Sequence, residues 1–229
     1  MAAFVEFVEK VHRSRQTLLE ILRERGYNTT GAEKVGPEEI RVAFSVKSDK
    51  TLEFTVNANE GAVVPTQSVR VYIFLPRLKQ RLQKFLTFLK PTEGIADTAA
   101  FYKDKISSPA DPALTTVICL LNEPVVPVFH QASAAAWAKD RLRLFFFSMD
   151  SFQMNPTKHY LVPKHEIVPK EQHEALLKDL YIVNKNQLPL IRYHEDPITR
   201  VIGCEPGDII KITRPSPSSG EYIIYRACV

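Results

Sequence analysis

Short apolar runs separated by amphipathic segments constrain the fold of this chain more than any other feature of its sequence. Residues 69–75, 115–121 and 142–147 are rich in β-branched and aromatic side chains, which is typical of buried strands. Strands separated by helices favour an α/β domain with a mixed sheet. The helices predicted in this part are 4–25, 77–90 and 132–141, and two further strands, 41–46 and 51–56, are predicted to pair through a hairpin turn at Ser48 and Asp49.

The C-terminal part carries helix-cap and turn signals at short intervals. Asp196 and Pro197 form an N-cap followed by a proline at the first helical position, and Gly203 is placed to end that short helix. Gly207 takes the third position of a type II turn over 205–208, because glycine tolerates the positive φ required there. The other elements predicted here are a helix over 169–180 and strands over 163–168, 208–213 and 222–229.

The predicted fold class is α+β, with two domains joined by a short linker. Residues 1–150 are expected to form an α/β domain whose mixed sheet is flanked by helices, residues 151–158 a linker, and residues 159–229 a small α+β domain. A domain as small as the second buries a limited share of its surface and is marginally stable alone. We therefore expect it to dock against a partner.

Composition argues against a fibrous, largely disordered or membrane-spanning chain. The hydrophobic content of 45% and the charged content of 24% are those of a globular protein. The richest apolar window, 117–121, is far shorter than the ~18 residues that a spanning helix needs, so no membrane partner is predicted. Acidic residues within the apolar N-terminal stretch argue against a signal peptide. Three cysteines without a CxxC pair predict no disulfide framework.

The net charge of +4 is mild for a protein whose main work would be nucleic-acid binding. A contact with DNA or RNA would therefore use a small surface within a larger assembly. The basic residues of the predicted helix 77–90 leave two interpretations open, a solvated face or a surface that meets phosphates. These residues are Arg77, Lys79, Arg81 and Lys84.

The sequence contains no recognisable catalytic motif. It has neither a GxxxxGK[ST] nor a GxGxxG phosphate loop, and its histidines and cysteines lack zinc-site spacing. Cys119 lies in an apolar strand, where a buried inert thiol is expected rather than a nucleophile. A nuclease would need acidic metal ligands with Glu/Asp-x-Lys, but only Asp49 and Glu53 lie near the right strands and the lysine is missing. The sequence therefore predicts no catalytic residue, no cofactor and no metal.

The C-terminal domain also carries many characteristic residues in a fixed order over residues 158–229. Because the series combines many positions, it is far more specific than one short motif. Its members are Tyr160-Leu-Val-Pro-Lys-His165, Asn186-Gln-Leu-Pro189, Asp196-Pro197, Gly203, Gly207, Lys211-Ile212, Arg214-Pro-Ser216, Gly220, Tyr222, Tyr225 and Arg226.

This series resembles the C-terminal assembly domain of the fifth common subunit of eukaryotic nuclear RNA polymerases, a family that also has archaeal members. Residues 1–150 resemble the jaw domain that precedes this module in eukaryotes but not in archaea, through the helix ending at 18–27 and the order of strands and helices. The resemblance implies a non-catalytic subunit of a DNA-directed RNA polymerase. It implies docking on the largest subunit and neighbouring small common subunits, weak contact with downstream duplex DNA inside the complex, and no homo-oligomer.

The resemblance also implies roles for individual residues. Arginine and tyrosine are enriched at interface hot spots, and four of them form the expected assembly interface. Core packing of the tyrosines and local carboxylate pairing of the arginines stay open as alternatives. The interface residues are Arg214, Tyr222, Tyr225 and Arg226, and the expected structural turns and caps are Asp196, Pro197, Gly203, Gly207 and Gly220.

The DNA-proximal loop of the family corresponds to residues 122–131. It departs from the family's usual pattern, because it lacks lysine and arginine and contains Glu123. Contact with a duplex would therefore depend on shape and backbone N–H groups rather than on ion pairs. The candidate residues are Pro124, Pro127, His130 and Gln131.

Two alternatives to a polymerase subunit stay open from the sequence. One is a free-standing transcription adaptor that uses the same module, and the other, less favoured, is a nuclease-like domain. The resemblance implies a nuclear location, nucleolar for a chain dedicated to polymerase I, and a cytoplasmic or virion location for a viral chain. The residues do not choose among polymerases I, II and III.

Overall fold

A computed structural model of the chain describes residues 2–45, 52–60, 66–75, 78–89 and 115–229. It divides into two compact units, Met1–Asn155 and Pro156–Val229. Both units combine helices with a mixed sheet, so the predicted α+β fold class is confirmed. Residues 151–158, for which a linker was predicted, contain parts of two 3-10 turns, Met149–Phe152 in the first unit and Pro156–Lys158 in the second.

The first unit is built on a five-stranded sheet in the order β1-β2-β3-β4-β5. The pairs from β1 to β3 are antiparallel and the pairs from β3 to β5 are parallel, so the predicted mixed sheet is confirmed. The strands are β1 (Tyr27–Asn28), β2 (Leu52–Ala58), β3 (Ser68–Phe74), β4 (Thr115–Leu121) and β5 (Arg143–Ser148).

The central strand β4 explains why its sequence reads as a continuous apolar run. It lies between parallel neighbours on both sides, and all seven of its residues are buried. Covered parallel strands have no solvent face and therefore need no alternating polar positions.

Helices accompany this sheet, and one face of it holds a dense aromatic core. Phe85 makes edge-on contacts with Tyr72 and Phe74, with ring centroids 5.5 and 5.0 Å apart. Phe146 contacts Phe129 at 5.0 Å in the same cluster. The helices are α1 (Ala2–Glu24), α2 (Pro37–Ser45), α3 (Leu82–Leu89) and α4 (Pro127–Asp140).

The strand predicted over 41–46 is wrong, because residues 41–45 belong to helix α2, while residue 46 lies outside the described residues. Pro37 at the first helical position and two glutamates in the first turn favour a helix start, and they outweigh the alternation of apolar residues that follows. The predicted hairpin therefore lacks its first strand, and its turn residues Ser48 and Asp49 lie outside the described residues.

Two other helix boundaries differ from the prediction. Helix α4 begins at Pro127 rather than at residue 132, since Val126 is extended and the proline takes the first helical positions. In the segment 77–90, a 3-10 turn over Lys79–Arg81 leads into α3, while Arg77 and Lys90 lie outside the described residues.

The second unit is built on a four-stranded sheet in the order β6-β8-β9-β7. Strand β8 pairs antiparallel with both β6 and β9, and the short β7 pairs parallel with β9. The 169–180 helix is shorter than predicted, since its start is a separate 3-10 turn, Lys170–Gln172. The elements are β6 (Lys164–Ile167), α5 (His173–Asp179), β7 (Leu190–Ile191), α6 (Pro197–Ile202), β8 (Ile209–Ser216) and β9 (Gly220–Cys228).

The core cluster beside α5 in this unit is small. Val168, Leu188, Ile209 and Ala227 form its buried part, and Leu176 and Leu177 from the α5 helix pack against it while staying partly exposed. Strand β8 continues past Pro215, although a strand end was predicted there. Beyond Thr213 the strand has lost its β6 partner, and such an edge position tolerates a proline.

Candidate interaction site

The β8–β9 hairpin of the second unit extends from a buried base to an exposed tip. Along β9 the side chains change from exposed over 220–223, through half-buried over 224–226, to buried at Ala227 and Cys228. Strand β8 shows the reverse order, with Ile209 and Ile210 buried and Arg214 exposed. The outer part of the hairpin is thus a sheet surface without a covering layer in this unit.

Arg214 and Tyr222 lie opposite each other on this outer part. They are cross-strand partners in the antiparallel register, so their side chains share one face. Tyr222 is 56% exposed, and the neighbouring Ile223 is 42% exposed on the other face. In residues 156–229, all of which the structure describes, the Arg214 guanidinium makes no hydrogen bond or ion pair. An arginine fork beside an exposed aromatic ring is the chemistry of an interface anchor.

Two more exposed apolar side chains lie toward the same end of the sheet. Lys164 at the start of β6 pairs with Thr213, so the residues before β6 lead toward the position of Arg214. Among them, Tyr160 is 87% exposed and Leu161 is 69% exposed. We call this set the hairpin surface. Its members are Tyr160, Leu161, Arg214, Tyr222 and Ile223.

Sequence reasoning missed three members of the hairpin surface. Tyr160 and Leu161 stood in the characteristic series as Tyr160-Leu-Val-Pro-Lys-His165, which was the signal that could have identified them. Ile223 gave no such signal, because an isoleucine within a strand is equally typical of a core position.

Tyr225 and Arg226, predicted for the same interface, have contacts inside the unit. Tyr225 packs against the cluster that contains Ile209 and Ala227. Arg226 is half-buried and its Nη1 donates a hydrogen bond to the Leu190 carbonyl oxygen at 3.1 Å, which connects the side chain of a β9 residue to strand β7. These two residues support the sheet, and the structure does not bring them together with the exposed Arg214–Tyr222 pair.

The helix cap and the turns lie where the backbone changes direction. The Asp196 carboxylate accepts hydrogen bonds from the N–H groups of Ile198 and Thr199 at 2.9 and 3.0 Å, and Pro197 is the first residue of α6. Gly203 ends that helix with φ of 76°. Gly207, with φ of 97°, and Gly220, with φ of 74°, adopt the left-handed region in the turns at either end of β8.

A buried histidine that sequence reasoning did not single out connects three segments of this unit. His173 Nε2 lies 3.0 Å from the Val168 carbonyl oxygen, and its Nδ1 lies 2.7 Å from Lys185 Nζ. Lys185 Nζ also donates to the Gly207 carbonyl oxygen at 3.0 Å. Because the ammonium can only donate, Nδ1 is the acceptor and Nε2 carries the proton. This link holds the turn before β8 against α5.

The loop predicted to lie near DNA is shorter in the structure than in the prediction. Only residues 122–126 are non-helical, and Pro127, His130 and Gln131 belong to the first turns of α4. Pro124, Pro127 and Gln131 are exposed and His130 is half-buried.

Glu123 has a local structural role in this loop. One carboxylate oxygen accepts hydrogen bonds from the N–H groups of Leu78 and Lys79, at 2.7 and 2.9 Å. These groups start the 3-10 turn before α3, where a negative charge is favourable. The loop is therefore fixed to the start of that helix, and the glutamate charge is partly compensated there.

Of the side chains considered above for catalysis, Cys119 is buried and Glu53 is paired with Arg70, while Asp49 lies outside the described residues. Burial raises the pKa of the Cys119 thiol well above its ordinary value, so the thiolate is disfavoured. Burial also raises the pKa of Glu53, against the effect of Arg70, whose Nε lies 3.6 Å from the carboxylate. Across the described ranges, no three His, Cys, Asp or Glu side chains are grouped as metal ligands would be. Over the same ranges, no helix has the length and hydropathy for crossing a bilayer.

Comparison with known proteins gives a family match for the C-terminal part. The family described as RNA polymerase Rpb5, C-terminal domain, matches residues 154–228. Over nearly the whole chain, the sequence is 29% identical to the DNA-directed RNA polymerases I, II, and III subunit rpabc1 of Dictyostelium discoideum, covering 98% of this chain and 100% of that protein.

Archaeal relatives match the C-terminal part alone. The chain is 48% identical to the DNA-directed RNA polymerase subunit Rpo5 of Sulfurisphaera tokodaii, over 34% of this chain and 92% of that subunit. It is 55% identical to Rpo5 of Archaeoglobus fulgidus, over 31% of this chain and 91% of the relative. Similarity to the archaeal subunits is thus concentrated in the part that carries the hairpin surface.

Proposed function

The chain belongs to the Rpb5 family of DNA-directed RNA polymerase subunits, and from this premise we propose that it is a non-catalytic subunit that docks on the largest polymerase subunit through the hairpin surface. The observation that carries this proposal is the exposed Arg214–Tyr222 pair with its apolar neighbours. A partner that covers Arg214 and Tyr222 buries the exposed tyrosine ring and can accept directed hydrogen bonds from the guanidinium.

The proposal extends to neighbouring subunits, to location and to catalysis. Small common subunits adjacent to the largest subunit are the further partners, and the nucleus is the site of action. Nucleotide addition belongs to other subunits, which agrees with a buried, disfavoured Cys119 thiolate and with a Glu53 carboxyl that pairs with Arg70. The chain itself needs no cofactor for this role.

We assign the first unit a jaw role beside downstream duplex DNA. The supporting feature is the loop 122–126, which is fixed by the Glu123 hydrogen bonds and presents exposed Pro124 beside Pro127. The loop residues themselves can meet a duplex by shape and supply no cation to phosphates, while the exposed Lys79 beside Glu123 is a cation next to the loop. Through this loop, the first unit is therefore expected to bind duplex DNA barely at all at physiological salt, and submicromolar binding that is lost when loop residues are replaced would contradict this part of the proposal.

Co-purification of a tagged chain tests the docking role. Replacing both Arg214 and Tyr222 by alanine should reduce recovery of the largest polymerase subunit by about tenfold or more, as expected for an interface anchor pair. The matched control replaces Arg192 and Tyr181, two exposed residues of the same unit outside the hairpin surface, and should leave recovery unchanged.

The outcome separates docking from folding. Since Arg214 and Tyr222 are exposed, their variant should unfold at the temperature of the unaltered chain. Equal recovery of the largest subunit by both variants would remove the docking assignment. Recovery of a transcription factor without any polymerase subunit would favour the adaptor alternative, and Mg²⁺-dependent cleavage of DNA would favour a nuclease.

A further inference from the structure

A cluster of cations surrounds the one tryptophan of the chain, at the C-terminal end of α4. The guanidinium carbons of Arg141 and Arg143 lie 5.5 and 5.4 Å from the centroid of the Trp137 ring, within the range of cation–π interactions. We call Trp137, Arg141 and Arg143 the Trp137 cluster.

The backbone at Arg141 shows that fold stability alone gives little reason for an arginine there. Arg141 has φ of 54° and ψ of 22°, and its N–H donates to the Trp137 carbonyl oxygen to close the helix. A residue other than glycine is strained in this left-handed conformation. A cation at a helix C-terminus and an exposed cation–π contact each give a small stabilisation, about enough together to offset this strain.

Arg141 also leaves its hydrogen-bond donors exposed. Within the part of the chain that the structure describes, its side chain makes no ion pair or hydrogen bond. Arg141 is exposed, while the next residue, Leu142, is buried in the core. With respect to the described residues, the Arg141 donors are therefore open to a ligand.

The position of the cluster separates it from the loop assigned to downstream DNA. Strand β5 runs parallel to β4. Arg143, at the start of β5, therefore lies at the opposite end of the strands from loop 122–126, which follows the end of β4. The 14 residues of α4 between the two regions span about 20 Å. The cluster is thus a second surface of the first unit.

We propose that the Trp137 cluster binds the phosphate backbone of a nucleic-acid strand. The choice of ligand rests on the proposed function, because a polymerase subunit works beside DNA and RNA. Planar guanidinium groups match phosphate oxygens with paired donors. The cations lie around an indole ring rather than converging in one pocket, which suits successive phosphates along a strand better than a single phosphorylated side chain.

The test uses the full chain at low ionic strength, where phosphate contacts are strongest. Fluorescence of the one tryptophan reports on the cluster during titration with single-stranded RNA, duplex DNA or a phosphoserine peptide. The variant Arg141→Gly/Arg143→Gln should weaken binding of the nucleic acid at least about fivefold and lower the slope of log affinity against log salt by about 2. Arg13→Gln/Lys34→Gln changes the net charge equally on other exposed residues and should weaken it far less.

Arg141→Gly relieves the left-handed arginine, so a folded variant is expected, and its thermal unfolding is recorded beside the binding data. Equal losses in the two double variants, no fluorescence change with either nucleic acid, or tighter binding of the phosphoserine peptide would each overturn the proposal. Any of these results with intact polymerase co-purification would refute this inference alone. Failed co-purification with intact nucleic-acid binding would instead refute the docking role.

Discussion

The two units of the molecule bury their apolar residues to very different degrees. In the first unit, β4 is buried along its whole length, and aromatic rings from β3, α3, α4 and β5 pack together beside it. The second unit is the shorter one, yet it contains ten of the fifteen large hydrophobic side chains that are exposed in the described residues. The first unit is thus stabilised from within, whereas the second retains apolar surface that a partner can cover.

This difference shows that sequence hydrophobicity and burial are separate properties. Apolar residues of the first unit lie on strands covered on both faces, so burial follows from topology. In the second unit, the outer hairpin has a sheet but no second layer, so residues such as Tyr222 and Ile223 have nothing to pack against. These are the side chains that the proposed docking on another subunit would cover.

The largest loss of folding stability is expected for a substitution in the core of the first unit. Phe146→Ala removes a buried ring that contacts Phe129 and should lower the free energy of unfolding by about 3–5 kcal/mol. Phe4→Ala, at a 42% exposed position of α1, is the control and should cost far less. Chemical denaturation of both variants gives the two values. Similar losses would break the contrast between a dense core and an exposed surface.

A smaller loss of folding stability is expected when the hydrogen bond between His173 and Lys185 in the second unit is removed. Lys185→Met leaves His173 Nδ1 without its donor in a buried position and should cost about 1–3 kcal/mol. Lys178→Met on the exposed end of α5 is the matched control. Limited proteolysis should show earlier cleavage within residues 156–229 for Lys185→Met alone. Unchanged proteolysis would mean that this link is dispensable for the unit.

Loss of the α6 cap should be weaker again. Asp196→Ala removes the acceptor for two backbone N–H groups and should lower the stability of the second unit by about 1 kcal/mol. Asp196→Asn keeps an oxygen acceptor and should recover most of that loss. Thermal unfolding followed by circular dichroism measures both variants, and a larger loss for asparagine than for alanine would show that the cap is not the cause.

The smallest effect on folding is expected at the hairpin surface. Tyr222→Ala, at a 56% exposed position, should change the free energy of unfolding by less than about 0.5 kcal/mol. Urea denaturation of the isolated chain provides this value. A loss above about 2 kcal/mol is typical of core residues. Such a loss would show that Tyr222 is packed like a core residue and would contradict the difference drawn between the two units.

Much of this architecture could be predicted from local sequence, and the errors have physical causes. The buried strands β3, β4 and β5 and the cap at Asp196 follow from residue types alone. Helix α2 was missed because Val42, Phe44 and Val46 alternate in the sequence like a strand, although the preceding Pro37 starts a helix. Strand β7 has two residues, too few for any periodicity.

The interaction site was only half predictable, because burial depends on register and covering layers. Tyr222 and Tyr225 are three residues apart on one strand and look alike in sequence. Tyr225 packs on the α5 side of the sheet, whereas Tyr222 pairs with Arg214 beyond the covered region. Neither the start of α5 nor the length of the β8–β9 ladder can be read from the residues with enough accuracy to tell the two tyrosines apart.

The native mass of the unaltered chain in cell extract tests most directly whether a partner covers the second unit. The account predicts one multi-subunit particle that contains the largest RNA polymerase subunit, with little of the chain outside it. A chain found mainly as a small free species, with the polymerase purifying separately, would contradict the account.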